Sequence, residues 1–261
     1  MGAAPDEETV SVRREGAVAV VELRRERKLN ALSTAMEERL DAAVASAEVR
    51  ESRCVVFTGG PRAFSAGADV TEFRDADAAS VAAYYAGSGG LYERIARLPQ
   101  PTLAAISGYC LGGGLELALA TDIRIAAASA EFGLPEVGLG IIPSSGGVLR
   151  LTRAVGPARA KELILRGRRF GADEARAIGL VAEVADDAPA RALEIAAELA
   201  ALPPLALRTA KATIDLAAES SREAAILMEQ LAYGMLAATP AAQNAATAFT
   251  RKSGSDPERR L

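Results

Sequence analysis

Residues 106–120 read Ile-Ser-Gly-Tyr-Cys-Leu-Gly-Gly-Gly-Leu-Glu-Leu-Ala-Leu-Ala, an apolar run that enters a triple glycine and leaves as an apolar helix. Glycines without Cβ atoms let a backbone approach a ligand closely, and the following helix points unpaired N–H groups at the same place. An oxygen atom that gains negative charge would be stabilised there. Glu116, in the first turn of that helix, is a candidate proton-transfer group. Acidic residues also favour the first turn of any helix and glycine runs mark tight turns, so these features alone leave a purely structural role open.

The composition is that of a globular chain with one large domain, or one domain plus a small appendage. Its 261 residues are 50% hydrophobic and carry 30 Lys and Arg against 34 Asp and Glu, with no long basic run. Nucleic-acid binding is therefore disfavoured as a primary role. Cys54 and Cys110 are too few and too far apart for a disulfide framework or a metal cluster. No signal peptide or membrane-spanning run is visible, so we predict a cytoplasmic protein with no membrane partner.

Histidine is absent from the sequence, and this absence narrows the chemistry. It excludes Ser-His-Asp and Cys-His nucleophiles and the metal sites that use histidine. Proton transfer then falls mainly to Glu, Asp, Lys, Tyr or Cys side chains. The fingerprints GxGxxG and GxxxxGK[ST] are also missing, so dinucleotide-binding and P-loop functions are not indicated.

Strand signals recur along the first two thirds of the chain. Residues 9–23 predict a β-hairpin around Glu15-Gly16, and residues 53–58 predict a buried strand. A second turn of small residues follows at 64–69, in a position where α/β folds commonly build ligand sites. Residues 101–106 and 122–126 predict the strands on either side of the triple-glycine turn and its helix.

Helix signals fill the remainder. Thr34 and Glu37 have the spacing of a capping box, so a helix is predicted from there toward Val49. Residues 70–98 read as mobile helix and loop, whose tyrosines are candidates for a lid or a pocket, although packing is the commoner fate of a tyrosine. From Pro189 onward, alanine-rich amphipathic segments predict a helical end that needs a partner surface.

Several blocks of sequence, in the same order, resemble the crotonase (enoyl-CoA hydratase/isomerase) superfamily over nearly the full length. They are Asn30-Ala31-Leu32, residues 64–69, residues 108–117, Asp122-Ile123-Arg124, and residues 132–140 with Pro143 and Gly146-Gly147. The resemblance implies an α/β fold in which repeated ββα turns wind into a spiral, over residues 1–200. It also implies a helical C-terminal region, residues 201–261, that forms a homotrimer or a dimer of trimers.

The resemblance also implies the roles of individual residues. The backbone amides of Ala66 and Gly113 would form an oxyanion hole for a thioester carbonyl. Glu116 would activate water and a protonated Glu136 would deliver hydrogen to Cα; two close, buried carboxyl groups should titrate as a coupled pair. The implied coenzyme A contacts are Arg24, Arg25, Lys28, Ala68, Asp69, Phe249 and Lys252. Near Phe249 the sequence departs from the family, because Asn244 replaces the usual acidic residue.

The implied activity is hydration of a trans-2-enoyl-CoA to a 3-hydroxyacyl-CoA, without a metal or redox cofactor, since coenzyme A is part of the substrate. Two alternatives within the family are a double-bond isomerase and a specialised hydratase that resembles those acting on crotonobetainyl-CoA, whose acyl group carries a quaternary ammonium. A third alternative is a non-catalytic acyl-CoA-binding or scaffold protein, which the presence of both glutamates and both turns argues against. Acyl chain length and polarity do not follow from the sequence.

Overall fold

The structure, a computed structural model, describes residues 9–73 and 77–254. The chain divides into two compact units, residues 1–200 and 201–261. The strands of the first unit are β1 (Val10–Glu15), β2 (Val18–Leu23), β3 (Cys54–Thr58), β4 (Ala63–Ser65), β5 (Thr102–Ile106), β6 (Tyr109–Leu111), β7 (Ile123–Ala127), β8 (Glu131–Gly133), β9 (Phe170–Gly171) and β10 (Glu183–Ala185). Its helices are α1 (Thr34–Val44), α2 (Ala47–Arg50), α3 (Ala78–Ala96), α4 (Gly113–Leu119), α5 (Gly147–Val155), α6 (Pro157–Arg166), α7 (Ala172–Ala177) and α8 (Ala188–Ala201). The second unit contains α9 (Pro204–Ala217), α10 (Arg222–Ala237) and α11 (Pro240–Gly254).

Two sheets organise the first unit. A six-stranded sheet has the order β1-β2-β3-β5-β7-β10, and a four-stranded sheet has the order β4-β6-β8-β9. β1 and β2 pair antiparallel, as do β8 and β9, and the other pairings in both sheets are parallel. The central strands β3 and β5 are buried along their whole length, as expected for parallel strands covered on both faces.

One unit of structure repeats along the chain. A strand of the large sheet is followed by a strand of the small sheet and then by a helix, as in β3-β4-α3, β5-β6-α4 and β7-β8-α5. The predicted α/β fold with repeated ββα turns is therefore confirmed. Each turn from the small sheet into its helix returns to the same region, which is where the candidate site lies.

Successive residues of the central strands point into two different apolar clusters. Val55 and Phe57 of β3 contribute to the larger cluster, whereas Val56 contributes to a smaller one. The smaller cluster is covered by α8, whose buried residues recur every fourth position at Ala188, Ala192, Ala196 and Ala200. Alanine at each of these positions lets the helix axis lie close to the sheet, because no longer side chain separates them.

One expectation about a helix is corrected. The residue that caps α1 is Ser33, whose Oγ accepts from Met36 N, so the predicted capping box at Thr34 and Glu37 is wrong by one position. Glu37 instead points into the protein. Residues 70–98, expected as mobile helix and loop, contain the 3₁₀ turn Val70–Phe73 and the 19-residue helix α3, and their mobility stays a prediction.

The second unit is a run of three amphipathic helices, as the sequence predicts. Large apolar side chains are exposed on it, among them Ile214, Leu231, Tyr233 and Met235. The trimer implied by the resemblance stays a prediction. No helix in the described part of the chain is both long and apolar enough to cross a membrane.

Candidate active site

The triple glycine forms the tight turn between β6 and α4. Gly112 has φ 51° and ψ −127°, a conformation that a residue with a Cβ rarely adopts, and it precedes the first residue of α4, Gly113. The Gly113 N–H lies in the first turn, where no intrahelical acceptor exists. The turn therefore presents an N–H group and the positive end of a helix to whatever lies beside it.

The small-residue turn at 64–69 is fixed by the Asn30-Ala31-Leu32 motif. The Asn30 amide donates to the carbonyls of Ala63 and Phe64 at 2.9 and 3.2 Å, and the Ser65 hydroxyl donates to the Asn30 carbonyl at 2.8 Å. Leu32 N donates to Gly67 O at 2.8 Å. Asn30 has φ 53°, in the left-handed region that asparagine tolerates better than most residues. This motif thus serves to hold the second turn in place.

The unpaired amide beside Gly113 is not the one expected from the sequence. Ala66 N donates to Leu29 O at 2.9 Å, so the Ala66 assignment is wrong: that N–H is already paired within the fold. Ala68 N donates to no acceptor within residues 9–73 and 77–254. An ideal Cβ on Gly113 would lie 3.6 Å from Ala68 N, which shows that Ala68 N and Gly113 border one space. Ala68, expected only as a coenzyme A contact, is therefore the candidate for the second donor in place of Ala66.

Glu116 is almost fully buried, with 2% of its surface exposed. Its Oε1 accepts hydrogen bonds from Ser145 N and Gly147 N, both at 2.8 Å. A Cβ on Gly147 would lie 2.7 Å from that oxygen, so only glycine permits this approach. Burial raises the pKa of Glu116, while the two backbone hydrogen bonds and the positive charge of Arg150 act in the opposite direction.

Glu136 begins a 3₁₀ turn, Glu136–Leu139, that follows β8. Its Oε1 lies over Gly112, 3.2 Å from where a Cβ would be, and its Oε2 is buried without a hydrogen-bond partner in the described structure. Burial, assisted by the negative charge of Glu116, raises the pKa of Glu136 to about 7. The protonated form of Glu136, which can donate a proton, is therefore well populated at neutral pH.

One cavity of about 100 Å³ joins these groups. Ala68, Gly113, Glu116 and Glu136 all line it. Part of its remaining wall is formed by a glutamate and the hydroxyl-bearing side chains around it, Glu37, Tyr84, Ser88 and Tyr92, together with Tyr85. Another part is apolar and is formed by Val70, Leu139, Ile141 and Ile142. The two carboxyl groups and the two amides thus face the same space.

The predicted coenzyme A contacts lie in different environments. Arg25 and Asp69 form an ion pair of 2.7 Å with side chains only 16% and 8% exposed, and Arg25 also donates to Ala31 O. This pairing gives both residues a structural role, and their contact with coenzyme A stays a prediction. Arg24 and Lys28 are exposed. Phe249 and Lys252 belong to α11, but their side chains lie outside the described part of the structure.

Sequence reasoning missed three contributors. Ser145 acts through its backbone N–H, for which no sequence signal exists. Arg150 donates to Ser145 O at 3.0 Å and pairs with Glu93 at 2.7 Å, so it supports the loop that holds Glu116. Glu37 was interpreted as a capping residue. Within the described residues no group of three or more Cys, Asp or Glu side chains is arranged as a metal site.

Comparisons with known proteins agree with this geometry. A family model described as Enoyl-CoA hydratase/isomerase matches residues 13–257. The chain is 39% identical to the probable enoyl-CoA hydratase echA8 of Mycobacterium tuberculosis, over 94% of this chain and 96% of that one. It is 37% identical to the short-chain-enoyl-CoA hydratase of Clostridium acetobutylicum, over 93% and 95% of the two chains. The crystal structure of enoyl-CoA hydratase from Bacillus anthracis is 39% identical and superimposes with a TM-score of 0.88, covering 94% of this chain and 97% of that one.

Proposed function

The chain belongs to the enoyl-CoA hydratase/isomerase family, and on that premise we propose that it adds water across the 2,3 double bond of a trans-2-enoyl-CoA. The product is a 3-hydroxyacyl-CoA, and the enzyme is a hydro-lyase. One observation carries the assignment of residues. Two carboxyl groups, one buried against backbone amides and one with its pKa raised to about 7, share a cavity with two unpaired backbone N–H groups.

The thioester carbonyl binds to the N–H groups of Ala68 and Gly113. Addition of water at C3 moves electrons through C2 toward this oxygen, so negative charge develops on it in the transition state. Donors that are already aimed at that position stabilise the charge without reorganising, and the positive end of α4 contributes in the same sense. Removing one such donor typically costs on the order of 10²–10³ in rate.

Glu116 serves as the base and Glu136 as the acid. The Glu116 carboxylate removes a proton from water while the water oxygen bonds to C3, and protonated Glu136 gives its proton to C2. The environments favour this division of roles. Glu116 receives two backbone hydrogen bonds and the charge of Arg150, which favour its ionised form, whereas the charge of Glu116 holds the proton on Glu136.

The size of the cavity supports a short acyl group. Its volume of about 100 Å³ is smaller than the ~300–1,000 Å³ typical of sites for drug-sized ligands. We propose that exposed Arg24 and Lys28 contact the phosphates of coenzyme A, together with Phe249 and Lys252 from α11. Because side-chain carboxyl groups account for both proton transfers, the reaction as proposed needs no metal or redox cofactor.

Two broader proposals concern assembly and location. We propose a homotrimer or a dimer of trimers, supported by the apolar side chains exposed on residues 201–261. An exposed apolar surface of this kind usually marks a contact with another chain. A cytoplasmic location is supported by Cys54 and Cys110, which are buried thiols that form no disulfide with each other.

The test uses purified protein and crotonyl-CoA. Hydration removes the conjugated thioester absorbance, and Glu116→Gln should abolish that change because an amide cannot accept the water proton. The matched control is Glu51→Gln, the same chemical change at an exposed residue, which should behave as wild type. If the wild type leaves enoyl-CoA substrates of several chain lengths untouched, the assignment is wrong. Incubation with a 3-enoyl-CoA and analysis of the product distinguish hydratase from isomerase.

A further inference from the structure

A carboxyl group that the proposed reaction does not use forms part of the wall of the cavity. Glu37 on α1 is only 8% exposed, and it lines the same cavity as Glu116 and Glu136. Its Oε2 accepts a short hydrogen bond from the Ser88 hydroxyl, and its Oε1 accepts one from the Tyr92 hydroxyl at 3.3 Å. The Tyr84 hydroxyl also lies close enough to this carboxyl group to affect its pKa, although it donates to Leu32 O at 3.2 Å. A buried glutamate whose neighbours are three hydroxyl groups is unusual, because a charge removed from water is normally paired with an opposite charge.

The partners of Glu37 are all neutral. Among the described residues no Lys or Arg lies within ion-pairing distance of it, and the charged neighbour that affects it is Glu72, another carboxylate. Burial raises the pKa of Glu37, and the negative charge of Glu72 acts in the same direction. An ionised carboxylate has about four acceptor positions, and the donors Ser88 and Tyr92 fill only two of them. The protein thus supplies hydrogen bonds to this group but no compensating charge.

Aromatic rings surround the same part of the cavity. Tyr84, Tyr85 and Tyr92, all from α3, line it beside Glu37. The rings of Tyr84 and Tyr85 pack edge to face with centroids 5.1 Å apart. The face of an aromatic ring attracts a cation, and rings combined with a carboxylate are a favourable environment for an ammonium group. A purely aliphatic acyl chain would instead leave the buried carboxylate without a compensating charge.

This cluster lies near the reacting carbons. The negative charges of Glu116, Glu136 and Glu37 all act on the phenol of Tyr85, whose pKa is raised mainly by burial and further by these three groups. Tyr92 lies close to the oxyanion hole as well, since its hydroxyl would be 3.6 Å from a Cβ on Gly113. Given the cavity volume of about 100 Å³, a group bound at Glu37 belongs to the first few carbons of the acyl chain.

We propose that Glu37 and the rings of Tyr84, Tyr85 and Tyr92 form a subsite for a positively charged nitrogen on the acyl group. The preferred substrates would then be short trans-2-enoyl-CoA thioesters that carry a protonated amine at about C4. This inference rests on the proposed hydratase function and specifies the substrate of the same site. It also implies discrimination against acyl chains that end in a carboxylate, because that charge would face Glu37.

The experiment compares three substrates of nearly equal size: the trans-2-enoyl-CoA thioesters with NH3⁺, OH or CH3 attached to C4. We expect kcat/KM for the ammonium substrate to exceed that for the methyl substrate by at least about tenfold, which corresponds to one charge-assisted hydrogen bond. Glu37→Gln keeps the shape and removes the charge, and it should reduce this ratio to below about threefold. The ammonium substrate also has a higher intrinsic reactivity, but this affects the wild type and Glu37→Gln equally. The change in the ammonium-to-methyl ratio of kcat/KM between the two proteins therefore reports on the subsite alone.

The control is Glu38→Gln, the same change at the neighbouring exposed residue of α1, which should keep the wild-type ratio. If Glu37→Gln does not fold, Tyr85→Leu provides a second test, because loss of one ring should lower the ratio by a few-fold. An unchanged ratio in Glu37→Gln or Tyr85→Leu overturns the proposal. The proposal is also overturned if kcat/KM for the hydroxyl substrate exceeds that for the methyl substrate by the same factor as kcat/KM for the ammonium substrate does. The subsite would then recognise a hydrogen-bond donor and not a charge. If the wild type hydrates neither crotonyl-CoA nor any of the three C4-substituted substrates, the proposed function fails instead, and this outcome is distinguishable.

Discussion

Replacing Glu136 with glutamine should abolish hydration and at the same time stabilise the folded protein above pH 7. Glutamine keeps the shape of the side chain but has no proton to give to C2. General acid catalysis is typically worth about 10²–10⁴ in rate, so kcat for crotonyl-CoA should fall by that factor. The loss should appear in kcat more than in KM, because the proton is transferred only in the transition state.

The stability change follows from the pKa of Glu136. Burial and the charge of Glu116 raise this pKa from 4.5 to about 7, so the folded state favours the protonated carboxyl group. Its contribution to stability is complete below the unfolded value and is lost as the pH rises to the folded value, through the window from 4.5 to about 7. A shift of this size corresponds to about 3 kcal/mol, which partial exposure reduces to about 1–2 kcal/mol. Glutamine does not ionise, so the variant escapes this loss.

Thermal unfolding of the wild type and Glu136→Gln at pH 5 and pH 8 measures the effect. The advantage of the variant in Tm should grow by about 3–6 °C between these two pH values. Glu51→Gln, which changes an exposed carboxyl group, should show no such growth. The reasoning is refuted if Glu136→Gln keeps hydration within about tenfold of the wild-type rate, a tenfold loss being only 1.4 kcal/mol. It is also refuted if the variant is less stable than the wild type at pH 8.

Further changes separate packing from electrostatics. Gly114→Ala should destabilise the protein by about 2 kcal/mol or more, because the new methyl group would overlap the Ser65 carbonyl. Gly138→Ala is the control and should leave Tm unchanged, because the space around Gly138 is open. Thermal unfolding measures both. Arg150→Gln removes a positive charge that lowers the pKa of Glu116. The acidic limb of the plot of kcat/KM against pH should therefore move to higher pH. An unchanged limb would contradict the role given to Arg150.

Much of the fold could be predicted from local patterns. Continuous apolar runs such as residues 54–58 and 102–106 are typical of buried parallel strands, and both became strands of the large sheet. The glycine triplet predicted a tight turn into a helix, because its requirement for a residue without Cβ is local. Glu116 and Glu136, 20 positions apart in sequence, do line one cavity. Their roles as base and acid remain proposals.

The errors arose where distant segments decide the outcome. Ala66 and Ala68 are both small residues in one turn, and only the pairing of that turn with residues 29–32 shows which amide stays unpaired. The ion pair between Arg25 and Asp69, 44 positions apart, could likewise not be predicted from the sequence. For Glu37, a one-residue change in the helix start turned an expected surface cap into a buried group.

The two backbone hydrogen bonds that hold Glu116 have a stereochemical consequence. Ser145 and Gly147 hold Oε1 of Glu116 from two directions, which leaves the other carboxylate oxygen, Oε2, to meet a water molecule. A carboxylate with a fixed orientation directs the water to one face of the planar alkene, because the amides of Ala68 and Gly113 hold the thioester carbonyl in place. The new asymmetric carbon should therefore form in a single handedness, which chiral chromatography of the product would reveal.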